Sequence, residues 1–141
     1  VYKQLMDFKK GNRVNAQMTA MVANLSEADM RDLGAFYESQ APKAVPFDGE
    51  KIANGENIYR GGITETRVAA CMGCHSPSGL GNGPAGWPSL AGQHPEYIVA
   101  QLRAFKYGER ANDTGKMMRN VAERMSDMEM ESVAAYLAGI Q

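Results

Sequence analysis

Two cysteines and a histidine lie within five consecutive residues of the chain, as Cys71, Cys74 and His75. They form the motif C-x-x-C-H, which is typical of covalent haem attachment. Two thiols three residues apart on one helical turn can add to the two vinyl groups of a single haem, and the adjacent imidazole can then bind the iron. We therefore interpret these residues as an attachment site for haem c, with His75 as one axial ligand.

Two other kinds of site use the same residue types. A structural zinc site needs a fourth ligand, usually from a second Cys/His pair, and the only other histidine in the sequence is His94. A redox-active dithiol of the thioredoxin kind needs a β-α-β setting, and the sequence lacks the period-2 alternation of strands. Haem attachment is therefore the favoured interpretation.

An electron carrier needs a second axial ligand, and methionine is the natural partner of histidine because its thioether raises the reduction potential. Five methionines lie downstream of the motif: Met117, Met118, Met125, Met128 and Met130. The last three lie in or beside the final predicted helix at core spacing, so we expect them to be packing residues. Met117 and Met118 follow a Gly-containing segment that could bend over a haem face, and local sequence does not separate them.

The composition of the whole chain narrows the class of protein. The 141 residues include 15 basic and 16 acidic side chains, for a net charge of −1. This balance argues against nucleic-acid binding and against a polybasic membrane anchor. No apolar run approaches the ~20 residues that span a bilayer, so we expect no membrane span.

Helical spacing recurs along the chain and predicts an all-α fold. One helix is predicted over residues 50–59, with Asp48 as a candidate N-cap and two glycines at its end. A second helix is predicted over residues 95–108, and a last one begins at Ser126 with a capping box. The buried stripe of that last helix would be Met130, Val133, Ala134 and Leu137.

The start of the chain repeats its end. Residues 4–15 match residues 101–112 at an offset of 97, sharing Gln-Leu, Phe-Lys, Gly, Arg and Asn in order. After a three-residue insertion, the register resumes at an offset of 100, where Met18, Ser26, Met30 and Ala35 match Met118, Ser126, Met130 and Ala135. Because the matched residues keep the same order in both stretches, the match indicates a tandem duplication.

The repeat separates the two candidate methionine ligands. Met118 pairs with Met18, whereas Met117 pairs with Gln17, and a glutamine is a poor ligand for haem iron. We therefore predict that the Met118 sulfur binds the iron opposite His75.

Further features accompany the C-x-x-C-H motif and the tandem order. They are the stretch from Pro88 to Gln93, Gly108-Glu109-Arg110 with Asn112-Asp113, the Met118 segment, and Ala134-Ala135-Tyr136-Leu137. In this combination the chain resembles the tandem dihaem class I cytochromes c of the c-four type. The resemblance covers residues 50–141 as one full unit and residues 1–40 as half of another.

The resemblance implies an all-α class I cytochrome c fold, with a complete domain over 50–141, a linker over 41–49, and the C-terminal half of a first domain over 1–40. Only one C-x-x-C-H is present where the family has two. We therefore expect a chain that is incomplete at its N-terminus or complemented by another polypeptide. Residues 1–40 should then pack on a second haem that is attached outside this segment, with Met18 as its ligand.

The resemblance also assigns roles to three further residues. The carbonyl of Pro88 should accept a hydrogen bond from the His75 ring, with Pro84 as the competing candidate. Gly55 and Tyr59 resemble the Gly-x-x-x-aromatic of the family's first helix, which crosses the last helix.

By the same resemblance, we expect a periplasmic electron carrier of a bacterial respiratory chain, and not an enzyme. The expected partners are a quinol-oxidising cytochrome complex upstream and a haem–copper terminal oxidase downstream. One alternative is a peroxidase-like haem enzyme, which needs an open iron site. The other is a haem subunit of a larger oxidoreductase complex.

Covalent attachment is tested by changing both Cys71 and Cys74 to Ala. The double variant should release its haem into acidified acetone because no thioether bond holds the porphyrin, whereas the unchanged chain should retain it. Absorbance of the extract measures the released haem. Extraction of haem from the unchanged chain would refute the covalent interpretation.

Overall fold

A computed structural model describes residues 1–40 and 49–140. The first range contains α1 (Tyr2–Lys10), α2 (Ala16–Val22) and α3 (Glu27–Glu38). The second contains α4 (Gly49–Gly61), α5 (Met72–His75), α6 (Pro95–Lys106), a 3₁₀ turn (Thr114–Lys116), α7 (Met117–Ala122) and α8 (Asp127–Gly139). Two isolated β-bridges are the only extended pairing in these two ranges, and none of their helices is long and apolar enough to cross a membrane. The predicted all-α class is confirmed.

The three helices predicted after residue 49 are present, with small shifts at their ends. α4 continues to Gly61, two residues beyond the predicted end. α6 ends at Lys106, and Gly108 follows in the left-handed conformation at φ 75°. α8 has the predicted capping box, in which the Ser126 and Glu129 side chains each accept the other's backbone N–H. Residues 41–48, with most of the predicted linker and the candidate cap Asp48, lie outside the described residues, and Gly49 begins α4.

The first three helices repeat α6, α7 and α8 in local detail. Gly11 and Gly108 both end their helices at φ 75°. Two residues later, the backbone N–H groups of Arg13 and Arg110 reach back to the carbonyls six residues before them, at 3.1 Å and 2.9 Å. Both α3 and α8 begin with a serine capping box. The duplication inferred from sequence is therefore also a duplication of structure.

A pair of lysines makes one further repeated contact. Lys9 on α1 donates to the carbonyl of Leu25, and Lys106 on α6 donates to the carbonyl of Met125 at 2.5 Å. Each acceptor directly precedes the serine that caps the next helix. The contact ties the first helix of each repeat to the start of its last helix.

Each repeat encloses its own apolar cluster. The first apolar cluster consists of Leu5, Phe8, Val22 and Met30, with Met18 packed against it. The second apolar cluster is larger because α4 and the segment around α5 add to α6, α7 and α8. Its most buried large side chains are Tyr59, Met125, Met130, Val133 and Leu137.

α4 and α8 cross with their backbones in contact at Gly55. A Cβ atom on Gly55 would lie 2.0 Å from the Ser132 carbonyl oxygen and 2.9 Å from the Tyr136 Cβ. One turn later on α4, the Tyr59 ring packs on the Tyr136 ring with centroids 5.5 Å apart. Only glycine permits this approach, so the residue sets the separation of the two helices.

The crossing also explains why α8 is buried beyond its predicted stripe. Met130, Val133, Ala134 and Leu137 are buried as predicted. Four more residues of α8 are also buried, namely Ser132, Ala135, Tyr136 and Ala138. α4 packs on one side of α8 and α6 on another, so a single amphipathic stripe underestimates its burial.

Replacing Gly55 with Ala should destabilise the haem-loaded chain by about 3 kcal/mol, near the top of the usual range for overpacking. The methyl group has to push α4 away from the α8 backbone. Gly61→Ala on the same helix is the matched control, because a Cβ there meets no atom within 4 Å. The control should be as stable as the parent or up to about 1 kcal/mol more stable. Urea unfolding measures both, and equal stability of the two variants would contradict the close crossing.

Candidate functional site

The C-x-x-C-H motif forms the short helix α5 and the residue before it. Cys71 is the N-cap of α5, and its carbonyl accepts the backbone N–H of His75 at 2.9 Å. Cys74 lies on the single turn in between, and both thiols are free and half-buried. The turn therefore presents two thiols and one imidazole from five residues.

The His75 ring is buried and oriented by a backbone carbonyl. Its Nδ1 lies 2.8 Å from the Pro88 carbonyl oxygen. Because a carbonyl only accepts, Nδ1 carries the proton and Nε2 is left with a lone pair for a metal. Burial lowers the pKa of the ring, although the Pro88 bond opposes this. The imidazole is therefore neutral near pH 7, which is the form that binds iron.

Gly81 allows Pro88 to reach the histidine. It adopts φ 75°, and a Cβ there would lie 2.5 Å from the Pro88 carbonyl carbon. Its N–H also donates to the His75 carbonyl at 2.9 Å. Pro84, the competing acceptor considered from sequence, is exposed on the loop between these residues. Gly81 therefore brings the Pro88 carbonyl into place beside α5.

Tyr59 holds the other end of the turn, a role that the sequence did not reveal. Its hydroxyl donates to the Ser76 carbonyl at 2.5 Å and lies 3.3 Å from the His75 carbonyl. Burial raises the pKa of this phenol to about 12, so it stays protonated and able to donate. A tyrosine at helical spacing predicts only a core residue, because the hydrogen bond depends on how α4 packs against α5.

The candidate methionine ligands differ in burial. Met118 is half-buried and packs against the second apolar cluster, as Cys71 does. Met117 is 42% exposed. Met128 is 77% exposed, so the prediction that it is a packing residue is wrong, because it lies in the first turn of α8 on the solvent side. Met125 and Met130 are buried inside the cluster, as their helical spacing predicted. Met118 is therefore the candidate that is neither buried in packing nor turned to solvent.

The segment before Met118 is more ordered than the loop expected from sequence. It contains the 3₁₀ turn, and Met117 and Met118 open α7. Asp113 accepts the Arg119 backbone N–H at 3.0 Å and its Nε at 2.7 Å. This carboxylate fixes the first turn of α7 and hence the position of Met118, which the sequence pattern did not indicate.

The zinc and dithiol alternatives find little support in the geometry. In the described ranges, no three His, Cys, Asp or Glu side chains are grouped as metal ligands. His94 is exposed at the start of α6. Burial raises the pKa of the Cys71 thiol to about 11, whereas reactive dithiols have lowered values.

The donor set fits haem c. Cys71 and Cys74 would supply two thiols for thioether bonds, His75 Nε2 has a lone pair for the iron, and the Met118 thioether is a candidate for the second ligand. The apolar side chains around Met118 and Cys71 suit the face of a porphyrin. In the first repeat, Met18 is likewise half-buried against its own cluster, whereas nearby Met21 is exposed.

Comparison with known proteins places the chain in a family. Residues 52–141 match the family described as Cytochrome c. Cytochrome c4 of Thiocapsa roseopersicina is 43% identical, over 99% of this chain and 73% of the relative. The thiosulfate dehydrogenase electron acceptor of Stutzerimonas stutzeri is 38% identical, over 98% of this chain and 65% of that protein.

A solved structure agrees with these matches over the whole described fold. The reduced recombinant cytochrome c4 from Pseudomonas stutzeri superposes with a TM-score of 0.94 at 37% identity, covering 99% of this chain and 79% of that one. The chain therefore belongs to the cytochrome c family, as a cytochrome c4-type class I member that binds haem c covalently and transfers electrons.

Proposed function

We propose that this electron-transfer protein attaches its haem at Cys71 and Cys74 and that His75 and Met118 are the two protein ligands of the iron. Haem c supplies the one-electron Fe(II)/Fe(III) couple when bound. The observation that carries the proposal is the oriented, neutral His75 imidazole beside two free thiols, on the apolar cluster against which Met118 packs.

The protein's own residues orient and enclose the site. Pro88 fixes the tautomer and the plane of the His75 ring, and a carbonyl partner makes the imidazole a better donor to a metal. Tyr59 clamps the C-terminal end of the turn to α4. If His75 and Met118 both hold the iron, no position would remain for a small substrate, which would suit the site to electron transfer and not to peroxidase chemistry.

The choice between Met118 and Met117 is tested by changing each separately to Leu. Met118→Leu should abolish the far-red band of Met–iron ligation and lower the reduction potential by a substantial part of the roughly 0.8 V that ligation and surroundings span. Met117→Leu should change neither, because that side chain is exposed and is not packed on the apolar cluster. Visible spectra and potentiometric titration provide both measurements. The reverse outcome would overturn the assignment made from the repeat.

We further propose that residues 1–40 are the C-terminal half of a first cytochrome c domain. On this proposal residues 50–141 are a complete second domain, and a second haem lies against Met18, attached outside this segment. The duplicated helices, glycine turns and capping boxes support this assignment.

The exposed face of α3 supports the same assignment. Phe36 is 58% exposed, whereas its counterpart Tyr136 is 8% exposed because α4 covers it. Tyr37 is also exposed, and its counterpart Leu137 is buried. Two adjacent exposed aromatic side chains are costly to leave in water. In the first repeat, a helix equivalent to α4 and a second haem would cover these side chains, as α4 covers Tyr136 in the second repeat.

The second haem is tested in the protein isolated from its native source. Met18→Leu should remove about half of the Met–iron absorbance, as expected if two equivalent centres contribute. Met21→Leu is the matched control, since that exposed side chain lies one turn further along α2. A silent Met18→Leu variant, with one haem per polypeptide, would exclude a second centre with Met18 as its ligand.

For its partners we propose a quinol-oxidising cytochrome complex as donor and a haem–copper terminal oxidase as acceptor. The periplasm is the proposed location because thioether attachment of haem takes place outside the bacterial cytoplasm. The resemblance to cytochrome c4 supports this setting.

A thiosulfate-oxidising enzyme is a second candidate donor. It is favoured by the similarity to the electron acceptor of thiosulfate dehydrogenase in Stutzerimonas stutzeri. Stopped-flow reduction of the oxidised protein by each purified donor distinguishes the two. Faster reduction by the thiosulfate enzyme would replace the quinol-oxidising complex in the proposal.

A further inference from the structure

The two repeats meet through a reciprocal pair of arginines. Arg13 of the first repeat donates to the Gln101 side chain of the second at 2.6 Å. Arg110 of the second repeat, its counterpart, donates to the Gln4 side chain of the first at 3.2 Å. Each arginine also bonds the glutamine of its own repeat, at 2.7 Å and 2.9 Å. The four side chains therefore form one network shared by both halves.

Each arginine also lies on the apolar cluster of its own repeat. The Arg13 guanidinium carbon is 4.6 Å from the centroid of the Phe8 ring, and that of Arg110 is 4.5 Å from the centroid of Phe105. Phe8 belongs to the first apolar cluster, against which Met18 packs, and Phe105 to the second, against which Met118 packs. The two cations therefore lie between the two methionine-bearing clusters.

The positive charge of this pair is poorly compensated. Arg13 is 8% exposed, and its remaining partner is the neutral Tyr97 hydroxyl at 2.9 Å. In the described ranges, neither arginine forms an ion pair with a carboxylate. Asp7 and Asp113 act on Arg110 only through space, since Asp7 pairs with Lys3 and Asp113 with Arg119.

The pKa of Arg110 reflects this environment. Burial, and then the charge of Arg13, lower the pKa of its guanidinium to about 10. The value still lies well above neutral pH, so Arg110 stays charged. A buried and a half-buried cation that donate only to neutral acceptors cost stability, and a hydrogen-bonded pair of neutral side chains would hold the repeats together without that cost.

We propose that Arg13 and Arg110 are a shared electrostatic element that raises the reduction potential of the haem on either side of the junction. Arg13 then acts across the repeat boundary on the haem attached at Cys71 and Cys74. This inference rests on the proposed haem site. Reduction removes one positive charge from the iron, so a nearby buried cation favours Fe(II) over Fe(III). Burial limits screening by salt, which lets the effect persist at physiological ionic strength.

The test compares Arg13→Gln with Arg13→Lys in the whole haem-loaded chain, by spectroelectrochemical titration at neutral pH. Arg13→Gln should shift the Fe(II)/Fe(III) ratio at a fixed potential about three- to tenfold towards Fe(III), the size expected for one buried charge. Tenfold corresponds to about 59 mV for one electron. Arg13→Lys should keep most of the parent potential because it keeps the charge and loses only the hydrogen-bond geometry.

Arg31→Gln is the matched control, since it removes the same charge from the exposed surface of the first repeat, where Arg31 pairs with Glu27. It should leave the potential unchanged. Gln101→Glu covers the case in which Arg13→Gln does not fold, because it places a carboxylate on the arginines with almost no change of shape. It should also lower the potential.

The outcomes separate this inference from the proposed site. A parent chain without covalent haem or without the Met–iron band would refute the site itself. With haem bound, an unchanged potential in Arg13→Gln or Gln101→Glu would overturn the electrostatic role. An equal fall in Arg13→Lys and Arg13→Gln would show that the arginine acts only through its geometry.

Discussion

The contact between the α4 and α8 backbones at Gly55 is the constraint on which the haem-binding turn depends. Because the helices touch there, Tyr59 lies one turn further along α4, packed on Tyr136 and within reach of the Ser76 carbonyl. Ser76 directly follows His75, so the helix crossing also sets the position of the imidazole. A larger residue at position 55 would therefore displace the turn that carries His75 without touching it.

A second set of contacts, from the loop that follows α5, holds the same imidazole. Gly81 lets the loop after α5 fold closely enough for Pro88 to accept the His75 Nδ1 proton. Gly92 in the following stretch donates its N–H to the Leu137 carbonyl near the end of α8, at 2.9 Å. The loop is thus anchored on the helix that α4 crosses, and α8 supports both sides of the histidine.

Sequence reasoning succeeds here where a feature is local and fails where it depends on how distant elements meet. The C-x-x-C-H turn, the capping box at Ser126 and the start of α6 are set by neighbouring residues, and all three were predicted. The duplication was also visible, because matched residues keep their order. The Tyr59 hydrogen bond joins residues 17 positions apart, and the bond from Arg13 to Gln101 joins residues 88 positions apart. No local pattern encodes such distances, although a Gly-x-Arg in both repeats marked the arginines as a pair.

The reciprocal contact between Arg13, Arg110 and their two glutamines has the form of a two-fold symmetric interface, in which the same patch of each unit meets its own copy. This is the geometry of a homodimer, here made from two halves of one polypeptide. Because the two halves are covalently connected, they meet within one molecule. For a short linker, the effective concentration of one half at the other is on the order of millimolar. Polar contacts of this kind would dissociate on dilution between separate molecules, whereas within one chain they persist at any protein concentration.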